Sequence, residues 1–227
     1  MKTRHPLHAF ILVAGWLPLA WLIWAYFTRN LTVNPIQAAT QRTGDFAIVF
    51  LLLSLACTPL YTLTRNAVLP RLRRPLGLFA FFYAALHFLI FAGLDYQFDQ
   101  QALLQIFQEK QFVILGNFAL TILTLLAVTS FRWWMKRLGK SWKTLHRFVY
   151  LAGILVVAHY ALAVKGDALR LQGNTLLPVL AGILLAILFI LRLPPVKGWL
   201  QALRSNQSAS SQSEAAQVHS GVKDSRA

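Results

Sequence analysis

The sequence predicts an all-α integral membrane protein, a bundle of about six transmembrane helices with both termini cytoplasmic. Three observations predict it. First, 57% of the 227 residues are apolar and only 13% are charged, whereas about a quarter are charged in an ordinary soluble domain. A soluble chain of this size has no interior large enough to hide so much apolar surface. Second, the apolar residues fall into blocks of about 20, the length that crosses a bilayer as a helix. Third, lysine and arginine gather beside alternate ends of those blocks, as the positive-inside rule expects of a multi-pass protein.

The blocks run at about 8–27, 44–63, 75–94, 112–131, 145–164 and 175–193. Block one has a basic flank, Lys2 and Arg4, but runs on through Trp16, Trp21 and Trp24 without a small-residue cleavage site. It reads as an uncleaved spanning helix and not as a signal peptide. The joints carry breaker chemistry at Asn34-Pro35, Pro70, Pro75, Gly139, Gly166, Gly173-Asn174 and Pro194-Pro195. No internal repeat is apparent. Residues 1–200 read as one transmembrane domain. The segment 201–227 is rich in Ser, Gln and Ala with no apolar period, and reads as a polar, disordered cytoplasmic tail.

Counting basic residues by side gives the orientation. With the N-terminus inside, the inner set is Lys2 and Arg4, then Arg65, Arg71, Arg73 and Arg74. It continues with Arg132, Lys136, Arg137, Lys140, Lys143 and Arg147, and ends with five from Arg192 onward. Only Arg29, Arg42, Lys110, Lys165 and Arg170 fall outside, whereas five of the seven acids do. The bias places both termini in the cytoplasm. Trp133, Trp134, Trp142 and Trp199 would form an aromatic belt on that side.

Composition and motifs exclude several function classes. The net charge of +15 sits at block ends, which argues for a membrane surface and against nucleic acid. The single cysteine, Cys57, excludes an internal disulfide, an all-cysteine iron–sulfur site and a c-type haem attachment. It reads as a small buried apolar residue. No G-x-G-x-x-G or Walker pattern and no paired intramembrane carboxylates occur, so a nicotinamide domain and a hydrolytic site are absent. The aromatics Phe79, Phe81, Phe82, Tyr83, Phe88 and Phe91 of block three read as packing or lipid contact, with some available to line a macrocycle.

Of six histidines, His5, His8 and His219 fall at the N-terminus or in the tail and read as solvated or interfacial. His87 and His159 lie inside apolar blocks, where an ionisable group is costly and points to function. A lone histidine there serves equally well as polar glue between helices. Depth favours the functional reading. Both lie about 18–21 Å from the cytoplasmic face at 1.5 Å per residue, in the outer half of the bilayer, on helices running the same way. Two such histidines can supply both axial nitrogens of a haem b held edge-on between them. Neither has an acid within its helix, which disfavours a proton relay.

His146 lies 13 residues before His159, about 140° around the helix at about 100° per residue, so it need not face the same slot. A second stacked haem would want a histidine 13 or 14 residues before His87, where Arg74 and Arg73 stand. The chain thus offers one bis-histidine site and an incomplete second one with Arg73, Arg74, Lys143, His146 and Arg147 around it. Those cations would suit haem propionates, a flavin phosphate or a quinone headgroup, or would simply be positive-inside residues.

Three stretches carry a resemblance. They are Thr43-Gly44-Asp45 leading to Thr58-Pro59-Leu60, Arg73-Arg74-Pro75-Leu76-Gly77 leading to Leu86-His87, and Trp142-Lys143 through His146-Arg147 and Tyr150 to His159-Tyr160. Over about residues 8–200 the chain resembles the MsrQ family, the haem-binding membrane subunits of the bacterial periplasmic methionine sulfoxide reductase system, within the ferric-reductase-like transmembrane superfamily. The resemblance implies a multi-pass protein of the bacterial inner membrane that binds haem b, one or two, and FMN. It implies electrons taken from the quinone pool or a cytoplasmic flavin reductase and passed to a periplasmic molybdenum-cofactor catalytic subunit that repairs oxidised proteins. His87, His146 and His159 inherit the haem-ligand role. The wider superfamily has four histidines on two helices, and the fourth is missing here.

The resulting expectation is a membrane electron-transfer subunit, not itself catalytic, whose cofactors carry the redox chemistry. The alternatives are a self-contained transmembrane haem metal or oxygen reductase, and a cofactor-free transporter or structural membrane protein.

Overall fold

A computed structural model describes residues 6–164, 166–167, 172–173, 176–196 and 198. Among these, five stretches are long and apolar enough to cross a membrane: Phe10–Phe27, Pro35–Thr64, Leu69–Asp95, Gln111–Val128 and Lys140–Ala163. A sixth apolar helix, Leu176–Ile190, has 15 residues. At 1.5 Å per residue that is about 22 Å, short of a hydrocarbon core of about 30 Å. Strand structure among the described residues is confined to a two-residue antiparallel ribbon, Gly166–Asp167 with Gln172–Gly173. The tail 201–227 lies outside the described residues, as do His5, Lys165, Arg170, Trp199 and His219.

Block one is one span but two helices, α1 (Pro6–Ala14) and α2 (Leu17–Phe27), which corrects the expectation of a single helix. Pro18 has no N–H to continue the ladder. Into the gap reaches Tyr83, fully buried. Its hydroxyl donates to Gly15 O at 2.8 Å and accepts from Leu19 N–H at 3.1 Å. A side chain inserted between a helix carbonyl and the amide four residues on breaks a helix at that point. A Cβ on Gly15 would lie 2.2 Å from the Phe79 ring, so the packing of that ring against the break requires glycine.

Helix α3 (Pro35–Thr64) opens with Pro35 at its first position and Asn34 as cap, whose side chain accepts from Gln37 N–H at 3.1 Å. It packs along its length on α4 (Leu69–Ile90), which continues into a π-turn, Phe91–Asp95. A short amphipathic helix, α5 (Gln100–Glu109), is capped by Asp99 and leads to α6 (Gln111–Val128). Two short helices follow, α7 (Arg132–Leu138) and α8 (Lys140–Leu145), joined at Gly139 with φ of 50°, a conformation that favours glycine. Then come α9 (Phe148–Ala163) and α10 (Leu176–Ile190).

The core is a seam of Leu51 and Leu55 from α3, Ala80 from α4, Leu123 from α6, Ala152 from α9 and Leu185 from α10. Outward-facing apolar residues such as Leu53, Leu89, Phe118, Ile154 and Ile183 are exposed, which suits a surface facing lipid tails. Cys57 is buried, as expected, with its thiol against Leu53 O.

The structure also reveals an internal repeat that the sequence reading missed. Contacts of the hairpin α3–α4 recur between α6 and α9 at positions displaced by 72 residues. Thr40, Gly44, Leu51 and His87 of the first correspond to Phe112, Gly116, Leu123 and His159 of the second.

Candidate cofactor site

His87 from α4 and His159 from α9 face one another inside the bundle. Their ring centres are 6.1 Å apart and their planes lie 86° apart. Both line a cavity of about 270 Å³ together with Phe88 and Phe91 of the aromatic block, while Gln41 and Asn117 add polar groups. Phe79 and Tyr83 of the same block belong instead to the core.

Each imidazole is held from behind by another helix. His87 Nδ1 lies 2.7 Å from Thr40 O, and His159 Nδ1 lies 2.6 Å from Phe112 O; both pairs are 47 residues apart. A carbonyl only accepts, so Nδ1 carries the proton and donates, leaving the lone pair on Nε2. Among the described residues neither Nε2 has a hydrogen-bond partner. Such a second bond fixes tautomer and ring orientation in metal-ligating histidines.

Glycine makes that approach possible. Four residues after each acceptor carbonyl stands a glycine, Gly44 or Gly116. A Cβ on Gly44 would lie 3.1 Å from His87 Nδ1, and one on Gly116 would lie 2.8 Å from His159 Nδ1. Glycine inside a helix costs about 0.5–1 kcal/mol relative to alanine, and both halves of the bundle bear that cost at the same place.

The pair suits a metal between the rings. A metal–imidazole bond of about 2.0 Å plus about 1.1 Å from nitrogen to ring centre puts two opposed ring centres about 6.2 Å apart. The observed 6.1 Å is of that size. Among the described residues no group of three or more His, Cys, Asp or Glu surrounds a common point. Two nitrogens alone would leave a metal short of ligands, which a macrocycle would supply.

His146, with Arg73, Arg74, Lys143 and Arg147, lines a second cavity of about 450 Å³ at the basic end of the bundle. His146 Nδ1 lies 3.1 Å from Trp142 O, one turn back on its own chain. Its Nε2 lies 3.4 Å from Ser130 Oγ, and Trp142 stacks on the ring with centres 4.0 Å apart. The residue 72 positions before His146 is Arg74, so a guanidinium stands where the repeat would place a second imidazole.

Leu51 and Leu123, equivalent residues of the repeat, line both cavities. Two further ties were not foreseen. The Tyr160 hydroxyl donates to Asp45 Oδ1 at 2.9 Å, joining α9 to α3 beside the histidine pair. Arg192 lies over the ring of Tyr150, 4.7 Å from its centre, and donates to the Tyr150 hydroxyl and to Leu55 O, holding one wall of the basic cavity. The sequence signal for the glycines was available: a glycine 43 residues before a histidine occurs at Gly44/His87 and again at Gly116/His159. Arg192 carried no such signal, because nothing in its local sequence separates it from other basic residues at a block end.

Comparison with known proteins identifies the family. The pattern of the family described as ferric reductase like transmembrane component matches residues 43–157. A protein of Herminiimonas arsenicoxydans named protein-methionine-sulfoxide reductase heme-binding subunit MsrQ is 37% identical over 217 residues, covering 92% of this chain and 95% of the relative. A protein of the same name from Rhodospirillum rubrum is 42% identical over 178 residues, 78% of this chain and 84% of that one. One from Bordetella pertussis is 43% identical over 150 residues, covering 66% and 73%.

Proposed function

This chain belongs to the MsrQ family of ferric reductase like transmembrane proteins, and from that premise we propose that it is a haem-bearing electron-transfer subunit. In this reading it sits in the bacterial inner membrane with both termini cytoplasmic. It takes electrons from the quinone pool or a cytoplasmic flavin reductase. It delivers them to a periplasmic molybdenum-cofactor subunit that reduces methionine sulfoxide in oxidised proteins. The observation that carries the reading is the His87–His159 pair, with both Nδ1 atoms tied to backbone carbonyls and the rings 6.1 Å apart.

Haem b bound between those rings supplies a one-electron iron couple in an apolar setting. The protein does the rest. His87 and His159 present neutral Nε2 donors from two halves of the bundle. Ala47 and Ala119 line the same cavity and leave room beside the glycines for a flat ring. At the basic end, Arg73 and Arg74 offer planar forks that pair with phosphate or carboxylate oxygens. With Lys143, His146 and Arg147 they form the place for an anionic group: the FMN phosphate, a quinone headgroup, or the propionates of a second haem. Leu51 and Leu123 line both cavities and give the boundary between them apolar walls.

The deciding experiment is the optical spectrum of the purified full-length protein. A Soret band that shifts on dithionite reduction, with sharp low-spin α and β bands, is expected. A colourless protein would leave a transporter or structural protein as the reading. Haem that reduces a soluble metal or oxygen without a partner would favour the self-contained reductase.

A further inference from the structure

We propose that Gly44 and Gly116 are positioning residues that set the angle between the two axial ligand planes, and through it the electronic state of the iron. The inference rests on the haem reading above and goes beyond it. Three observations carry it. A Cβ at either glycine would press on the Nδ1 of the histidine opposite, at 3.1 Å for Gly44 and 2.8 Å for Gly116. Each glycine lies one turn beyond the carbonyl that its histidine bonds. The two rings so held stand 86° apart.

The angle has a chemical consequence. An axial imidazole donates π-electron density to the iron d orbital that lies perpendicular to its ring. Parallel rings load the same orbital and split the d pair, giving a rhombic low-spin ferric signal. Perpendicular rings load one orbital each and keep the pair nearly degenerate, giving a signal dominated by one very large g value. The bonds from Nδ1–H to Thr40 O and Phe112 O also make each ring a better donor, which favours ferric iron. The chain fixes both properties with the same device, a missing methyl group, used twice at equivalent places.

The test is the ferric electron paramagnetic resonance spectrum and the midpoint potential of purified full-length protein. It compares wild type with Gly44→Ala, Gly116→Ala and the control Gly182→Ala. A Cβ on Gly182 would make ordinary contact with Val157 at 3.5 Å. Wild type is expected to show the single large-g signal. Both alanine variants at the ligand glycines move it toward a rhombic or partly high-spin form, raise the potential and weaken haem binding by about tenfold. Gly116→Ala does so more than Gly44→Ala, and Gly182→Ala leaves all three readouts as in wild type.

A rhombic signal in wild type, or wild-type signal and potential in both ligand-glycine variants, would overturn the inference while leaving the haem site standing. A protein without low-spin haem would overturn the underlying reading instead. Should one alanine variant not be recovered folded, the other is read against Gly182→Ala, and a rhombic wild-type signal overturns the inference in either case.

Discussion

Tyr160 donates a hydrogen bond to Asp45 at 2.9 Å across 115 residues of sequence, and the contact ties the second hairpin to the first one position beyond His159 and Gly44. A half-buried carboxylate at the end of an apolar block is costly without such a partner. Tyr160→Phe is expected to destabilise the protein by about 1 kcal/mol, the low end of the cost of an unsatisfied acceptor because Asp45 is only half-buried. A lowered melting temperature in detergent would read it. Asp45→Asn keeps an acceptor oxygen and is expected to cost less. Equal losses in the two variants would show that the contact serves packing and not the bond.

The haem-ligand assignment predicts a graded histidine series. His87→Ala and His159→Ala each remove one strong axial nitrogen, so each is expected to abolish the low-spin bis-histidine spectrum. His146 lines the other cavity, and His146→Ala is expected to leave that spectrum largely intact. Comparable loss from all three would point to a second haem at the basic end. An unchanged low-spin spectrum in the His87 or His159 variant would remove the assignment altogether.

Arg73 and Arg74 are expected to act on electron entry alone. Replacing both with Gln removes two of the cationic groups around the basic cavity but none around the histidine pair. Haem reduction by the donor should slow by about tenfold or more, in line with the loss of charge-assisted contacts to an anionic group. Reoxidation by the partner should keep its wild-type rate. Rapid mixing that times the two half-reactions separately measures both, and slowed reoxidation with normal reduction would reverse the path.

Membrane orientation is open to direct measurement. Reporter fusions after Arg74 and after Lys140 are expected to read cytoplasmic, and one after Asp99 periplasmic. The concentration of Lys and Arg at one end of the bundle motivates the expectation. The opposite pattern would place the basic cavity outside and reverse the direction of electron flow.

What the sequence made legible was whatever could be computed from spacing. Residue counts along straight helices place His87 and His159 at one depth, and the structure brings those rings together. The same count separates His146, which the structure places in the other cavity. The repeat stayed hidden because its recurring parts are mostly backbone. Thr40 and Phe112 share no side-chain chemistry and serve through their carbonyls, while identity survives only at a few positions such as Gly44/Gly116 and Leu51/Leu123. The contact at the Gly15 break was illegible for a different reason. Gly15 and Pro18 are a local breaker signal, but the Tyr83 hydroxyl that fills the gap comes from another helix 68 residues away, and no local pattern announces that contact.

The two histidines belong to different hairpins, and this gives the pair a temporal meaning as well as a spatial one. A growing chain can complete the α3–α4 hairpin, with His87 already bound to Thr40, long before α9 is made. A ligand that requires both rings is captured only after His159 has entered the membrane. A cofactor held by both rings would therefore join two halves built one after the other, and would have no complete site before the second is made.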